Sequence, residues 1–160
     1  MRDHLRSQVD IYLSLVVTFS VVILDRLTKL FFIKLLSPGE SLPVIRNIFH
    51  MTLVHNTGIA FGFFKDQGVV FIIIPIIAII LLVFNLYYYR QNNEALSQGY
   101  IIAFSLILGG AIGNLIDRIV YGYVIDFLDF RVWPVFNIAD SAITVGACLI
   151  AWKCFKLKNN

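Results

Sequence analysis

The fold of this chain is decided by the stretch Val124-Ile-Asp-Phe-Leu-Asp-Phe-Arg-Val-Trp-Pro-Val-Phe-Asn-Ile-Ala-Asp140. It places two acids, Asp126 and Asp140, on either side of a short loop that leads into an apolar run. An ionisable group inside a lipid-facing segment is costly to bury and is by default a candidate functional residue. The rest of the chain can therefore be interpreted as a framework that holds these two acids together.

The composition indicates that lipid is the main solvent of the chain. Of the 160 residues, 59% are hydrophobic and 14% are charged, whereas about 25% are charged in a typical globular protein. The formal net charge of +3 is small, and the basic residues form no stripe that alternates with aromatic residues, so no nucleic-acid partner is expected. We predict one membrane-embedded domain over residues 1–160.

Four apolar runs are long enough to cross about 30 Å of hydrocarbon as helices. These predicted spans cover residues 11–36, 69–89, 99–116 and 132–152. No small-residue cleavage site follows the first run, so we expect it to remain attached. Four spans put both termini on one side of the membrane. The denser Lys and Arg residues of the termini and of the 90–98 connection place that side in the cytoplasm.

The connection between the first two spans, residues 37–68, has a different character. It opens with Ser-Pro-Gly and has no helical period, and its centre, residues 44–55, is rich in β-branched and aromatic residues with partial alternation. This pattern predicts one or two short strands. The predicted fold class is an all-α integral membrane protein with four transmembrane helices and a small β-rich extracytoplasmic element between helices 1 and 2.

One polar cluster precedes this connection and another lies within it. Asp25 and Lys29 are four residues apart, acid first, so on a helix they share a face and can pair. Asn56 is followed by Gly58, which permits a backbone conformation or a close approach that a side chain would forbid. Each cluster also has a purely structural interpretation, as an ion pair at the end of the first span and as a simple turn.

The third span carries both small and polar residues. Gly109 and Gly113 fit the small-xxx-small pattern that lets membrane helices approach closely. Asn114, Asp117 and Arg118 follow at helical spacings of three and four residues, which predicts a polar face near the outer end of this span. Capping and interface anchoring are the alternative explanation of this face.

Asp140 is the hardest of these residues to explain structurally, because it lies in an apolar segment three residues after Asn137 with no Lys or Arg close to it in the sequence. Two carboxylates brought together in a low-dielectric site cannot both ionise, so they share a proton. Such a pair can activate water and protonate a leaving amine, as in aspartic peptidases. Asp129 is an alternative to Asp126 in this pair.

Other hydrolytic chemistries fit less well. A serine triad needs a histidine that reaches a serine, but His4 is expected on the cytoplasmic side. His50 and His55 are five residues apart in a predicted strand, which points them to opposite faces. There is no His-Glu-x-x-His helix, so no metal site is predicted.

Five motifs occur in an order that resembles one known family, the bacterial lipoprotein signal peptidases, also called signal peptidase II. They are Asp25-Arg-Leu-Thr-Lys29, Asn56-Thr-Gly-Ile-Ala-Phe61, Gly109-Gly-Ala-Ile-Gly-Asn-Leu-Ile-Asp-Arg118, Val124-Ile-Asp-Phe127 and Phe136-Asn-Ile-Ala-Asp140. Each motif alone is weak, but with the four spans they form a specific match over residues 11–152. The link of thirteen residues between the two acids is shorter than in many members, which affects the expected shape of the substrate-binding edge.

The resemblance implies an intramembrane aspartic endopeptidase without metal or organic cofactor. It would remove the signal peptide from a lipidated prolipoprotein, cutting just before the diacylglyceryl-modified cysteine, with Asp126 and Asp140 as the catalytic pair. The implied substrate-binding and supporting residues are Asp25, Lys29, Asn56, Gly58, Asn114, Arg118 and Asn137. The implied setting is a monomer among phospholipids of the bacterial inner membrane, with the active site towards the outer leaflet.

Three rival interpretations stay open. In a small transporter or channel, Asp25, Lys29, Asp117 and Asp140 would relay protons. In a non-catalytic assembly protein, the glycine face of the third span would dock a partner helix. A metal-dependent hydrolase would be inhibited by chelators.

Overall fold

The computed structural model describes residues 2–58, 70–91 and 97–158. Within these ranges the chain forms four helices and a three-stranded antiparallel sheet. In chain order the elements are α1 Arg2–Leu35, β1 Ser41–Ile45, β2 Phe49–Asn56, α2 Val70–Gln91, α3 Gln98–Tyr121, β3 Val124–Asp129 and α4 Ile138–Lys158.

Helix α3 is the centre of the helical packing and contacts each of the other three helices. A Cβ atom on Gly109 would lie 2.8 Å from Val21 Cβ on α1, and a Cβ atom on Gly110 would collide with the carbonyl oxygen of Ala139 on α4. The helix backbones therefore approach closely because no side chain intervenes. The predicted packing face is confirmed. It is occupied by α1 and α4 of the same chain, which contradicts the idea that it docks a partner helix.

Three helices are long and apolar enough to cross a membrane, in the segments Gln8–Leu35, Gln98–Tyr121 and Ile138–Lys156. Many large apolar side chains on these helices are exposed, as expected for contact with lipid. Helix α2 covers the predicted second span, and its described part contains a shorter apolar stretch, Pro75–Phe84. A multi-pass membrane protein is supported, whereas the crossing by α2 stays a prediction.

The sheet has the strand order β1-β2-β3. Leu53, Ile125 and Phe127 pack with Phe32 and Leu36 at the end of α1, which buries the sheet against that helix. The strands predicted in the 37–68 connection are confirmed as β1 and β2. Strand β3 was not predicted. It follows α3, so the β-rich element is not confined to the connection between the first two helices.

The fourth helix begins later than predicted, at Ile138 rather than near residue 132. Pro134 has no backbone N–H and disfavours helical geometry in the residue before it. Asn137 then caps the helix, because its side-chain oxygen accepts a hydrogen bond from the Asp140 amide at 2.9 Å. The prediction was wrong at this end because an apolar run alone does not separate a helix from a loop.

Helix α3 ends later than predicted, at Tyr121 rather than at residue 116. Asp117 and Arg118 are therefore part of the helix and project from its last turns. Gly122 ends the helix with a φ of 80°, a left-handed conformation that favours glycine.

Candidate active site

Asp126 lies inside β3, where pairing with β2 brings it beside Asn56. Asn56 Nδ2 donates a hydrogen bond to Asp126 Oδ2 at 2.8 Å. Asn137 Nδ2 donates to the other carboxyl oxygen, Oδ1, at 2.7 Å. Asp126 is only 1% exposed. Both of its oxygens are therefore held by side-chain amides inside the protein.

Asp140 lies in the first turn of α4 and forms a reciprocal cap with Asn137. The backbone N–H of Asp140 donates to Asn137 Oδ1 at 2.9 Å, and the backbone N–H of Asn137 donates to Asp140 Oδ2 at 3.3 Å. Asn114 Nδ2 on α3 donates to Asp140 Oδ1 at 2.7 Å. The partial positive charge at the helix N-terminus also favours a carboxylate here.

The fully buried Asn137 side chain joins the two acids. Its nitrogen donates to Asp126 and to Asn114 Oδ1, and its oxygen accepts from the backbone of Asp140. Four residues predicted for the site, from β3, α3 and the start of α4, thus meet in one place. The catalytic role of the two acids stays a prediction.

Burial raises the pKa of Asp126 to about 6. The hydrogen bonds from Asn56 and Asn137 oppose this rise, whereas the negative charge of Asp140 adds to it. Asp126 therefore keeps its proton to a higher pH than an exposed aspartate, whose pKa is 3.8. A pair in which one acid holds a proton beside an ionised partner is suited to general acid–base chemistry.

A buried charge cluster lies beside the two acids. Lys29 Nζ is 2.8 Å from Asp25 Oδ2 and 2.7 Å from Asp117 Oδ2, and it donates a hydrogen bond to Asn114 Oδ1 at 3.0 Å. Arg26 pairs with the second oxygen of Asp117. Two positive and two negative charges balance one another, as buried ions require. The Asp25 and Lys29 pair is confirmed. Arg26 was missed because its partner is on another helix.

The same cluster fixes the backbone that carries the acids. Asp25 Oδ1 accepts a hydrogen bond from the Ala139 amide at 3.1 Å, and Asp117 Oδ2 accepts one from the Ile125 amide at 3.1 Å. Ala139 and Ile125 each directly precede one acid of the pair. The cluster therefore sets the positions of α4 and β3 relative to α1 and α3.

Arg118 lies on α3, one turn after Asn114, in the electrostatic field of Asp140, Asp126 and Asp117. Its side chain is partly buried. No described residue accepts a hydrogen bond from it, although these carboxylates are close. The substrate-binding role of Arg118 stays a prediction.

The turn after β2 orients Asn56. The Gly58 amide donates to Asn56 Oδ1 at 2.8 Å, which directs Asn56 Nδ2 towards Asp126. Gly58 has a φ of 77°, a value that favours glycine, in agreement with the conformational freedom expected there. The rest of this motif, residues 59–61, lies outside the described residues.

Comparison with known proteins identifies the family. The family model described as "Signal peptidase (SPase) II" matches residues 17–156. The chain belongs to the signal peptidase II family. The predicted resemblance is confirmed, and membership makes the chain a peptidase of the membrane.

Individual members of the signal peptidase II family match most of the chain. The lipoprotein signal peptidase of Halothermothrix orenii is 43% identical over 135 residues, which are 84% of this chain and 90% of the relative. That of Clostridium tetani is 46% identical over 134 residues, 81% of this chain and 83% of the relative. Two solved structures, each described as a bacterial membrane enzyme, are 35% identical with TM-scores of 0.78 and 0.80. Both alignments cover 89% of this chain, and they cover 87% and 92% of the solved chains.

Asp129, the alternative acid, is engaged elsewhere in this signal peptidase II chain. Its carboxylate accepts hydrogen bonds from Thr52 Oγ1 at 2.7 Å, from the Arg131 amide at 2.8 Å and from Arg131 Nη1 at 3.0 Å. Desolvation alone would raise the pKa of Asp129, but these hydrogen bonds outweigh it and hold that pKa below the ordinary value. Asp129 is therefore held by Thr52 and Arg131 and not by the Asn137 side chain.

A histidine does reach a serine in this signal peptidase II chain, so that part of the argument against a serine triad is wrong. His50 Nδ1 lies 3.0 Å from Ser41 Oγ across the hairpin of β1 and β2. The nearest equivalent of a triad acid, Asp129, binds Thr52, and His50 Nε2 is buried without a partner among the described residues. The triad therefore lacks its acid.

No group of metal-ligating side chains occurs within the described ranges.

Proposed function

We propose that this protein is an intramembrane aspartic endopeptidase that removes the signal peptide from lipidated prolipoproteins, cutting before the diacylglyceryl-modified cysteine. The observation that carries the proposal is the Asn137 bridge, which holds a buried, proton-retaining Asp126 beside Asp140 at the start of a helix. The names of the relatives supply the substrate class. Because the acids can move protons by themselves, no metal is required.

The two acids take different roles in this mechanism. Asp140 takes the role of the general base and accepts a proton from water while the water oxygen attacks the scissile carbonyl carbon. The developing oxyanion accepts hydrogen bonds from Arg118. Protonated Asp126 then gives its proton to the departing nitrogen as the C–N bond breaks. The cycle ends when the proton on Asp140 is returned to Asp126.

These roles give a prediction for the pH dependence of cleavage. The pKa of Asp126 is raised above its unfolded value, so the protonated form persists up to about pH 6 and is lost above it. We expect kcat/KM to fall about tenfold per pH unit above this value, since that ratio reports the free enzyme. Asp129→Asn is the control and should keep the same alkaline limb. A profile that is flat between about pH 5 and pH 8 would contradict the assigned roles.

A second prediction concerns the turn that orients Asn56. Gly58→Ala puts a side chain on a left-handed residue, which costs about 1–2 kcal/mol, and the strain weakens the amide that positions Asn56. We expect cleavage to fall by roughly 5- to 30-fold. Gly39→Ala is a matched control, because Gly39 has a φ of 84° and nothing lies within 4 Å of an added Cβ. It should lower stability but not cleavage. Equal cleavage losses would contradict the orienting role.

The proposal includes an orientation of the helices, the two acids and the sheet in the membrane. Four helices cross the inner membrane with both termini in the cytoplasm, and the acids face the outer leaflet beside the sheet. An extended peptide could lie along the sheet while its acyl chains remain among phospholipids. A single copy supplies both acids, so a monomer suffices, and no nucleic acid takes part.

The function is tested with purified protein in detergent. One prolipoprotein carries the diacylglyceryl group on its cysteine, and the control is the same protein without lipid. We expect cleavage of the lipidated form alone, a product that begins at the lipidated cysteine by mass spectrometry, and no effect of a chelator. Absence of cleavage together with ion flux in liposomes would favour the transporter interpretation instead.

A further inference from the structure

An exposed apolar surface lies at the far end of the sheet from Asn56. It is formed by the tip of the hairpin between β1 and β2 and by the loop after β3, and we call it the apolar rim. Its residues are Ile45, Ile48, Phe130, Val132 and Trp133. Val132 is 93% exposed and Trp133 is 69% exposed. Such large apolar side chains are expected to be covered by something other than water.

The two parts of the apolar rim are held together by the sheet. The rings of Phe49 and Phe130 lie 4.7 Å apart, and His50 pairs in register with Asp129. Strand β3 carries the chain about 10 Å beyond Asp126, and Phe136 then bridges back to the strand. The apolar rim is therefore a fixed surface of the fold and stands to one side of the two acids.

The position of the apolar rim relative to the helices indicates what covers it. The sheet packs on Phe32 and Leu36 at the end of α1, and Trp133 precedes the start of α4 by five residues. Both helices are candidate membrane spans. The apolar rim is thus joined by short connections to the ends of two candidate spans.

The chemistry of the apolar rim matches the membrane surface. Tryptophan is typical of the zone where hydrocarbon meets lipid headgroups. Arg46 and Arg131 flank the apolar side chains, and both are exposed. Arg131 Nη1 also pairs with Asp129 Oδ2, but the Arg131 side chain is still 48% exposed. Cations beside an apolar patch complement lipid phosphates. A peptide bound at the acids would have to extend about 10 Å beyond Asp126 to reach this surface.

We propose that the apolar rim is seated in the membrane leaflet on the sheet side, with Val132 and Trp133 below the phosphates and Arg46 and Arg131 beside them. This contact anchors the sheet, and with it β3, at a fixed depth. The partner is the phospholipid surface itself. The inference is independent of the proposed function, because it concerns lipid contact in the absence of substrate.

The two tryptophans of the chain allow a direct test. Trp152→Phe leaves only Trp133, and Trp133→Phe leaves only Trp152, which is exposed within the α4 span and reports lipid contact as a control. Each variant is placed in nanodiscs, one copy per disc, with lipids that carry bromine near the top of the acyl chain. We expect Trp133 to lose most of its fluorescence relative to unbrominated lipid and to emit at shorter wavelength than free tryptophan.

Every other outcome overturns the proposal. If Trp152 is quenched but Trp133 is not, the apolar rim is covered by water or protein. A change at Trp133 only after addition of lipidated prolipoprotein would assign this surface to the substrate. A change only in discs that hold two copies would assign it to a second copy of the chain.

The basic flank is tested with the Arg46→Gln, Arg131→Gln double variant in the Trp152→Phe background. We expect brominated phosphatidylglycerol to quench Trp133 more strongly than brominated phosphatidylcholine, and the double variant to lose this difference. If the double variant shows the same difference in quenching between the two lipids as the Trp152→Phe protein, the proposed phosphate contact is wrong. Unchanged cleavage in detergent is the control for correct folding.

Discussion

Asp140→Asn is expected to lower kcat by roughly 10²- to 10⁴-fold, the usual contribution of a general acid or base. The replacement removes the group that accepts the proton from water. It keeps the shape of the side chain, and an asparagine oxygen can still accept a hydrogen bond from the Asn137 amide or from Asn114 Nδ2. The loss should therefore appear in the chemical step rather than in folding.

Thermal unfolding in detergent establishes that Asp140→Asn is folded, and cleavage of the lipidated prolipoprotein measures the rate. Ser141→Ala is a matched control, since it removes only a helical hydrogen bond from the Ser141 hydroxyl to the Asn137 carbonyl oxygen. A folded Asp140→Asn protein that cleaves at the rate of this control would exclude Asp140 from catalysis.

Lys29→Met is expected to destabilise the protein by about 3–5 kcal/mol, the cost of breaking a buried ion pair by removing one partner. The replacement leaves the buried carboxylates of Asp25 and Asp117 with Arg26 as their remaining cation in the cluster. It also removes the ammonium that donates to Asn114 Oδ1. Cleavage should fall even in the folded fraction, because Asn114 is then free to turn away from Asp140.

Lys34→Met on the same helix is the matched control, since Lys34 is exposed, and its stability should match that of the wild type. The double variant Asp25→Asn, Lys29→Met restores the charge balance and should recover part of the lost stability without recovering full cleavage. If Lys29→Met were as stable as Lys34→Met, the cluster would not hold the fold together. Full cleavage by the double variant would contradict the positioning of Asn114.

The sequence predicted those features that depend on local spacing. Asp25 and Lys29 pair because they are four residues apart on one helix. Gly109 lies in the predicted packing face because its neighbour at four residues is also small. Length and apolar character predicted four spans, and among the described residues three of them are helices long and apolar enough to cross a membrane, although their ends were less accurate.

The features that escaped prediction depend on contacts between distant residues. Strand β3 is short, and its partner β2 lies about seventy residues away, so its sequence alone did not separate it from a loop. Arg26 finds Asp117 on another helix. The contact between Ser41 and His50 depends on the register of a hairpin that contains a bulge. Tertiary contacts determined each of these features.

The most direct test of the central claim compares Asp126→Asn with Asp129→Asn at matched folding. Both replacements exchange a carboxyl group for a carboxamide of the same shape on the same strand, three residues apart. With lipidated prolipoprotein and a chelator present, we predict that Asp129→Asn yields the product beginning at the lipidated cysteine and that Asp126→Asn yields none. Cleavage by Asp126→Asn, or its loss in Asp129→Asn alone, would contradict the assignment of Asp126 and Asp140 as the catalytic pair.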